Sequence, residues 1–170
     1  MSTRQHPRLA PVCEVERPSV RLELDARHFP VLTATWAGMV TTEILDRYFE
    51  ARAPYLRHAE ALGLRTVVVT DMSLQEAPNS VIRRYIAEQG KLIDPDFPSL
   101  LGYVVVVPSR VLRGMVTAIQ WVIGDMWVEL RQTPSLADAY RVAGQIYRDA
   151  GLVAPPMPPE PPAGVGLLDG

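Results

Sequence analysis

Two short runs of β-branched residues constrain the fold of this chain more than any other feature. The runs Thr66–Thr70 (TVVVT) and Tyr103–Val107 (YVVVV) show no alternation of polar and apolar side chains. Strands with one face in water alternate, whereas strands covered on both faces are continuously apolar. We therefore predict that these runs are adjacent, parallel, buried strands of a sheet on which helices pack.

A hairpin and a short last strand complete the predicted sheet. From Val20 the residues Val-Arg-Leu-Glu-Leu-Asp alternate with a period of two, and a second strand, Val31–Trp36, follows the break at His28-Phe29-Pro30. Trp127–Leu130 is the predicted last strand. With the helices between them, these segments predict an α/β fold with the element order ββαβαβαβα and a mixed sheet whose central strands are parallel.

Each predicted helix begins at residues that favour helix N-termini. The four starts lie at Thr41 or Thr42, at Asn79, at Pro108-Ser109, and at Ser135, which forms a capping box with Asp138. Pro54 lies inside the first helix, so we expect a kink or a break there. Residues 71–78 are predicted to form a loop between the first central strand and the second helix.

Proline content sets the predicted domain limits. Residues 1–18 carry three prolines and no periodicity, which predicts a disordered arm, and residues 19–152 form the predicted domain. Residues 153–170 form a predicted disordered tail, because residues 155–162 hold six of the sixteen prolines and favour extended polyproline II. Their P-x-x-P spacing suits docking to a second partner, and an inert tail is the alternative.

Composition argues against several classes of protein. The 170 residues have a hydrophobic fraction of 48%, typical of a folded domain, and a net charge of −2, which gives no attraction to nucleic acid. The single cysteine, Cys13, forms no internal disulfide, and no Cys/His spacing suggests a metal site. No apolar run approaches the roughly 18 residues of a membrane span. We expect a cytoplasmic protein.

The sequence offers little that suggests catalysis. None of the three histidines (His6, His28 and His58) falls at the carboxyl end of a predicted strand, so no Ser-His-acid set is expected. Paired carboxylates occur only in loops, as with Asp94 and Asp96, and no glycine-rich nucleotide motif is present. We predict that the chain is not an enzyme and uses no cofactor.

Three segments resemble the STAS domain family, to which anti-sigma-factor antagonists and the tails of sulfate transporters belong. The segment TWAGMVTTEILDRYFE is similar to the family's second strand, glycine turn and first helix, and TVVVTDMS to its central strand. FPSLLGYVVVVPSRVLRGMVTAI is similar to a later strand–helix unit, and RGMVTAIQW to a divergent bacterial STAS-like group. The resemblance covers roughly residues 20–150 and implies a STAS-like fold and a regulatory, non-catalytic role.

The resemblance also indicates where a partner would bind. In the antagonists, a serine that opens the helix after the central strand is phosphorylated by a partner kinase. The family's Ser-Ser-Gly falls here on Ala77, Pro78 and Asn79, and Ser80 lies next to them. The implied partner surface runs from Asp71 to Arg84.

Five residues of this surface are candidate regulatory positions: Asp71, Ser73, Ser80, Arg83 and Arg84. Asp71 and Ser73 end a buried strand, where they either contact a ligand or partner or close an Asx turn. Ser80 lies in the first turn of a helix, where a phosphate would be stabilised by free N–H groups and the two arginines. The alternative is an ordinary first-turn serine.

A second candidate site lies at the start of the next helix. Arg110 and Arg113 follow Ser109 in the first turn, where the helix dipole disfavours cations. An acidic neighbour such as Asp71 or Glu76 would offset this, and the alternative is a bound anion, either a nucleotide or a lipid phosphate.

Trp121, Met126 and Trp127 cluster at the last helix–strand joint. The helical spacing of Trp121 predicts a core position, whereas exposure would favour a homodimer or a partner surface. Two functions follow from the whole sequence. The first is a protein-binding regulatory module, and the alternative is a small-ligand sensor for an anionic molecule.

Overall fold

A computed structural model describes residues 9–123 and 128–159. One sheet of six strands runs in the order β1-β2-β3-β4-β5-β6. The strands are β1 (Val12–Arg17), β2 (Val20–Asp25), β3 (Val31–Gly38), β4 (Thr66–Gln75), β5 (Leu100–Val106) and β6 (Glu129–Thr133). The helices are α1 (Thr42–Ala61), α2 (Ser80–Ile93), α3 (Arg110–Ile123) and α4 (Leu136–Asp149), with a 3₁₀ turn at Asp94–Asp96.

The two apolar runs form the centre of the parallel part of this sheet, which confirms the prediction for them. β4 and β5 are adjacent and parallel, with Val68 opposite Tyr103 and Val69 opposite Val104. β3 pairs parallel with β4, and β6 pairs parallel with β5, while the β1–β2 and β2–β3 pairs are antiparallel. From β2 onward the element order is ββαβαβαβα, as predicted.

Helices cover both faces of the sheet. On one face, α4 packs on alternate residues of β3, β4 and β5, among them Val67, Val69 and Val104. On the other face, α1 packs around Val68 and Trp36, and α3 packs on Met72 and Val105. The central strands are apolar on both sides because both sides are covered.

The N-terminal segment differs from the prediction. The expected arm over residues 1–18 contains β1, which pairs antiparallel with β2 along its whole length, from Val12 opposite Asp25 to Arg17 opposite Val20. The sequence of β1, VCEVER, alternates only weakly between apolar and polar residues, and Val12 and Val15 are half-buried. Pairing with β2 decides its conformation. Residues 1–8 of the predicted arm lie outside the described residues.

Two strand boundaries differ from the predictions, and α1 does not break at Pro54. Pro54 and Glu50 are both exposed, so water can bond the Glu50 carbonyl that Pro54 leaves free. β4 extends to Gln75, where a loop was expected from Asp71 onward. β6 begins at Glu129 rather than at Trp127, which lies outside the described residues.

The first part of the predicted tail lies within the described residues and contacts the core. Residues 152–159 form neither helix nor strand, but Ala154 and Met157 pack against the α4 face of the core. Residues 160–170 lie outside the described part of the chain. Within residues 9–123 and 128–159, no helix has both the length and the apolar character required to cross a membrane.

Candidate functional site

One edge of the sheet collects the starts of all four helices. β3, β4, β5 and β6 run parallel and each is followed by a helix, so their carboxyl ends and the helix N-termini lie together. Open α/β sheets commonly bind ligands and partners at such an edge. We call it the carboxyl edge and define it by residues 38–43, 71–84, 107–113 and 134–136. All eight sequence-predicted site residues lie on it.

The end of β4 projects beyond its neighbour β5. The last β4–β5 pair joins Asp71 to Val106, and beyond it Leu74 and Gln75 pair only with β3. The amide of Glu76 then donates to the carbonyl of Gly38 over 3.0 Å. Residues 72–75 are thus held as an ordered strand with one free edge.

Asp71 and Ser73 bond to each other. The Asp71 Oδ1 atom accepts from the Ser73 amide at 2.9 Å and from the Ser73 hydroxyl at 2.6 Å. These local bonds are those of the Asx turn that was the alternative to a ligand or partner contact, and they form within the extended β4. Ser73 is exposed.

Ser80 is the exposed first residue of α2, directly after its cap. The Asn79 side chain accepts from the Ile82 amide at 3.0 Å, which confirms the predicted N-cap. The two arginines expected near Ser80 have local partners instead. Arg83 donates to the Pro78 carbonyl at 3.1 Å, and Arg84 lies 3.9 Å from Glu88 on the exposed side of α2.

Substitutions at these two adjacent positions are expected to have opposite effects on stability. Asn79→Ala removes the cap and should lower the free energy of unfolding by about 1 kcal/mol. Ser80→Asp places a negative charge in the first turn and should raise it by about 0.3–1 kcal/mol. Urea unfolding followed by circular dichroism measures both. A loss for Ser80→Asp equal to that for Asn79→Ala would contradict the exposed first-turn placement of Ser80.

The start of α3 is capped in the same way. The Ser109 hydroxyl accepts from the Leu112 amide at 3.1 Å. Arg110 and Arg113 are exposed, and neither Asp71 nor Glu76 is within ion-pair distance of them in the part of the chain that the structure describes. The expected acidic neighbour is therefore not one of these two residues. The anion site remains a prediction.

Exposed apolar side chains also lie on the carboxyl edge, and the sequence did not indicate them as a group. One follows β3, one lies in the projecting end of β4, and two lie in the first turns of α2 and α3. They are Met39, Leu74, Val81 and Val111, with 55%, 58%, 58% and 67% of their surfaces exposed. For Val81 and Val111, the signal in the sequence was an apolar residue next to, rather than on, the buried stripe of a helix.

Trp121 is not in the core, contrary to the prediction. It is 81% exposed, because the buried stripe of α3 runs through Leu112, Val116 and Ile119 and leaves Trp121 on the opposite side of the helix. Met126 and Trp127, the other members of the predicted cluster, lie outside the described residues.

A buried polar cluster lies between α1 and the sheet. Arg52 of α1 is completely buried and forms an ion pair with Asp94, which is also buried. Arg52 also donates to the Tyr103 hydroxyl, which in turn donates to Asp94 Oδ2 at 2.8 Å. The Arg52 guanidinium lies 4.8 Å from the ring centroid of Phe49 and 5.2 Å from that of Tyr48. We call these five residues the buried cluster.

The protonation states in the buried cluster follow from burial and charge. Burial opposes the charge on Arg52, but Tyr103, Tyr48 and Asp94 outweigh it, so the pKa of Arg52 is raised. Burial raises the pKa of Tyr103 well above its usual value, against the opposing effect of Arg52, and burial likewise raises the pKa of Tyr48. Both phenols therefore stay protonated at neutral pH.

The buried cluster joins distant parts of the chain. Arg52 lies in α1, Asp94 begins the turn after α2, and Tyr103 lies in β5. The Arg52 Nε atom has no hydrogen-bond partner within the described residues. Among those residues, no group of three or more His, Cys, Asp or Glu side chains is placed to hold a metal ion. The cluster's hydrogen bonds link α1, the turn after α2 and β5.

Comparisons with known proteins give a limited result. No family model matches the chain, and no curated protein matches it. Among solved structures, the crystal structure of an anti-sigma factor antagonist from Mycobacterium paratuberculosis is similar at 18% sequence identity and a TM-score of 0.41. The match covers 75% of this chain and 97% of that one. At this TM-score, the likeness carries no information on activity or partners.

Proposed function

We propose that this chain is a regulatory, non-catalytic module of STAS-like type that binds a protein partner through its carboxyl edge. The observation that carries the proposal is the exposure of Met39, Leu74, Val81 and Val111 on that one edge. The element order from β2 onward supports the STAS-like assignment, because it is the order on which the sequence resemblance depends.

Exposed apolar residues argue for a partner when several share one surface. Single exposed apolar side chains are common on soluble proteins and need no explanation, whereas groups of them mark interaction sites. Here one comes from the end of β4 and the others from the residues that follow β3, β4 and β5, and the parallel strands bring all four to one edge. The projecting end of β4 gives Leu74 a rigid support, which lowers the entropic cost of binding.

The charges on this edge indicate the chemistry of the partner. Arg110 and Arg113 are exposed beside Val111 and add positive charge next to the apolar side chains. Protein interfaces commonly join an apolar centre to a polar rim of complementary charge. Beside Val111, the partner that fits is a protein with acidic side chains next to its apolar patch.

Removing apolar surface from the edge is expected to abolish partner capture. Immobilised full-length chain should retain the partner from a lysate of the source organism, identified by mass spectrometry. The double variant Val81→Gln/Val111→Gln should lose it, because buried apolar contacts carry much of the energy at an interface centre. Leu92→Gln is the matched control, since Leu92 is exposed at the other end of α2.

A charge change at Ser80 tests the same surface by a second route. Ser80→Asp introduces a negative charge beside Val81, and its desolvation in an interface should weaken capture while the fold stays intact. Equal capture by the wild type, the double variant and Ser80→Asp would place the interface elsewhere on the molecule. Loss of capture by Leu92→Gln as well would show that the effect is not specific to the carboxyl edge.

A further inference from the structure

A cavity of about 140 Å³ lies between the sheet and the three helices α1, α2 and α3. Its walls include Met72 and Val105 from the sheet and Val116 and Ile119 from α3. Protein interiors are close-packed and contain few voids larger than a water molecule. The space is partly open to the surface, and it is larger than the gaps that close packing normally leaves between helices and a sheet.

The cavity has an identifiable cause in the sequence. Gly90 of α2 lines it, and a Cβ atom built on Gly90 would meet only Asp94 Oδ2, at 3.8 Å. The wall is thus open at a position where most residues would place a side chain. Val116, in α3, also lines the cavity and has a smaller side chain than Leu, Ile or Phe.

The walls define the chemistry that the cavity accepts. They are predominantly apolar, and the one carboxylate among them, Asp94, is neutralised by Arg52 behind it. An additional charged ligand would lose its hydration without gaining an unpaired counter-charge. Asp94 Oδ2 lies beside Gly90 at the wall, so a ligand carrying one hydrogen-bond donor also has an acceptor available.

We propose that this cavity is a binding site for a small neutral aromatic molecule of about one ring. Apolar cavities near 150 Å³ remain dry and bind benzene, which sets the expected size of the ligand. The site adjoins the proposed partner surface, because Val40, Met72 and Gln75 line it and also lie on the carboxyl edge. It makes the domain a candidate sensor of an apolar metabolite rather than of an anion.

Toluene and benzoate distinguish a neutral from an anionic ligand with the same ring. The full-length chain, labelled at its Val, Ile and Met methyl groups, is titrated with each compound and followed by NMR. Toluene should shift the methyl signals of Met72, Val105, Val116 and Ile119. Benzoate should leave them unchanged. Val67 and Val69, which face α4 on the other side of the sheet, serve as internal controls.

A filled cavity should lose the ligand. Val116→Phe places a ring in the space and should raise the Kd for toluene by at least about tenfold. Ala118→Phe places a ring on the exposed side of the same helix, away from the partner surface, and should leave the Kd unchanged. The toluene shifts of the wild-type chain test the proposal without any variant. The test therefore holds even if Val116→Phe fails to fold. Three results would overturn the proposal. They are an absence of shifts up to the solubility limit of toluene, shifts confined to the surface or to the α4 face, and equal shifts with benzoate.

Discussion

Replacing Asp94 with alanine is expected to lower the free energy of unfolding by about 3–5 kcal/mol. The substitution leaves the guanidinium of Arg52 completely buried and without its counter-ion. The hydroxyl of Tyr103 loses its acceptor at the same time. An unpaired buried charge costs more than the pair itself contributes, so the loss should be among the largest of any single substitution in this chain. Urea unfolding measures it.

Two comparisons separate the charge effect from other causes. Asp96→Ala lies in the same 3₁₀ turn but is exposed, and should change stability by no more than about 0.5 kcal/mol. The double variant Arg52→Met/Asp94→Leu removes both charges and should be more stable than Asp94→Ala alone. If the double variant loses as much stability as Arg52→Met and Asp94→Leu lose together, the ion pair is not coupled as described.

Gly38→Ala is expected to cost about 2–4 kcal/mol, from a positive backbone φ and a steric clash together. Gly38 ends β3 with φ at +82°, a region that side chains disfavour. A Cβ atom there would also lie 2.2 Å from the carbonyl oxygen of Ser19, a backbone atom that bonds the Met39 amide at 2.9 Å. The clash cannot be relieved by rotating a side chain.

Gly63→Ala is the matched control for Gly38→Ala. Gly63 has a φ of +67°, but nothing lies within 4 Å of a Cβ atom placed there. It should therefore show only the conformational cost, about 1–2 kcal/mol. Both variants are measured by urea unfolding on the same chain. Equal losses at the two glycines would mean that the contact with Ser19 is relieved by a backbone shift.

The predictions that were confirmed rest on signals within a few residues of each other. The run Thr66–Thr70 predicts its own conformation, because continuous β-branched residues without polar alternation suit a strand covered on both faces. The caps at Asn79, Ser109 and Ser135 are equally local, since each side chain bonds an amide three residues ahead. These signals predicted the element order and placed the carboxyl edge.

The features that were missed depend on partners far along the chain. β1 is a strand because β2 supplies its hydrogen bonds, and its own sequence alternates too weakly to show this. Arg52 and Asp94 are 42 residues apart, and nothing near either one indicates that both are buried. Trp121 has the composition of a core residue, and only the orientation of α3 on the sheet decided that it faces outward.

The sequence by itself thus determined the order of the strands and helices from β2 onward, and that two of the strands lie at the centre of the parallel part of the sheet. The tertiary structure decided which side chains share a surface, a cavity or a buried ion pair. The physical reason is that propensity and capping act over one helical turn, whereas burial and charge pairing depend on which elements pack together. The exposed apolar side chains of the carboxyl edge and the cavity beside Gly90 belong to this second class.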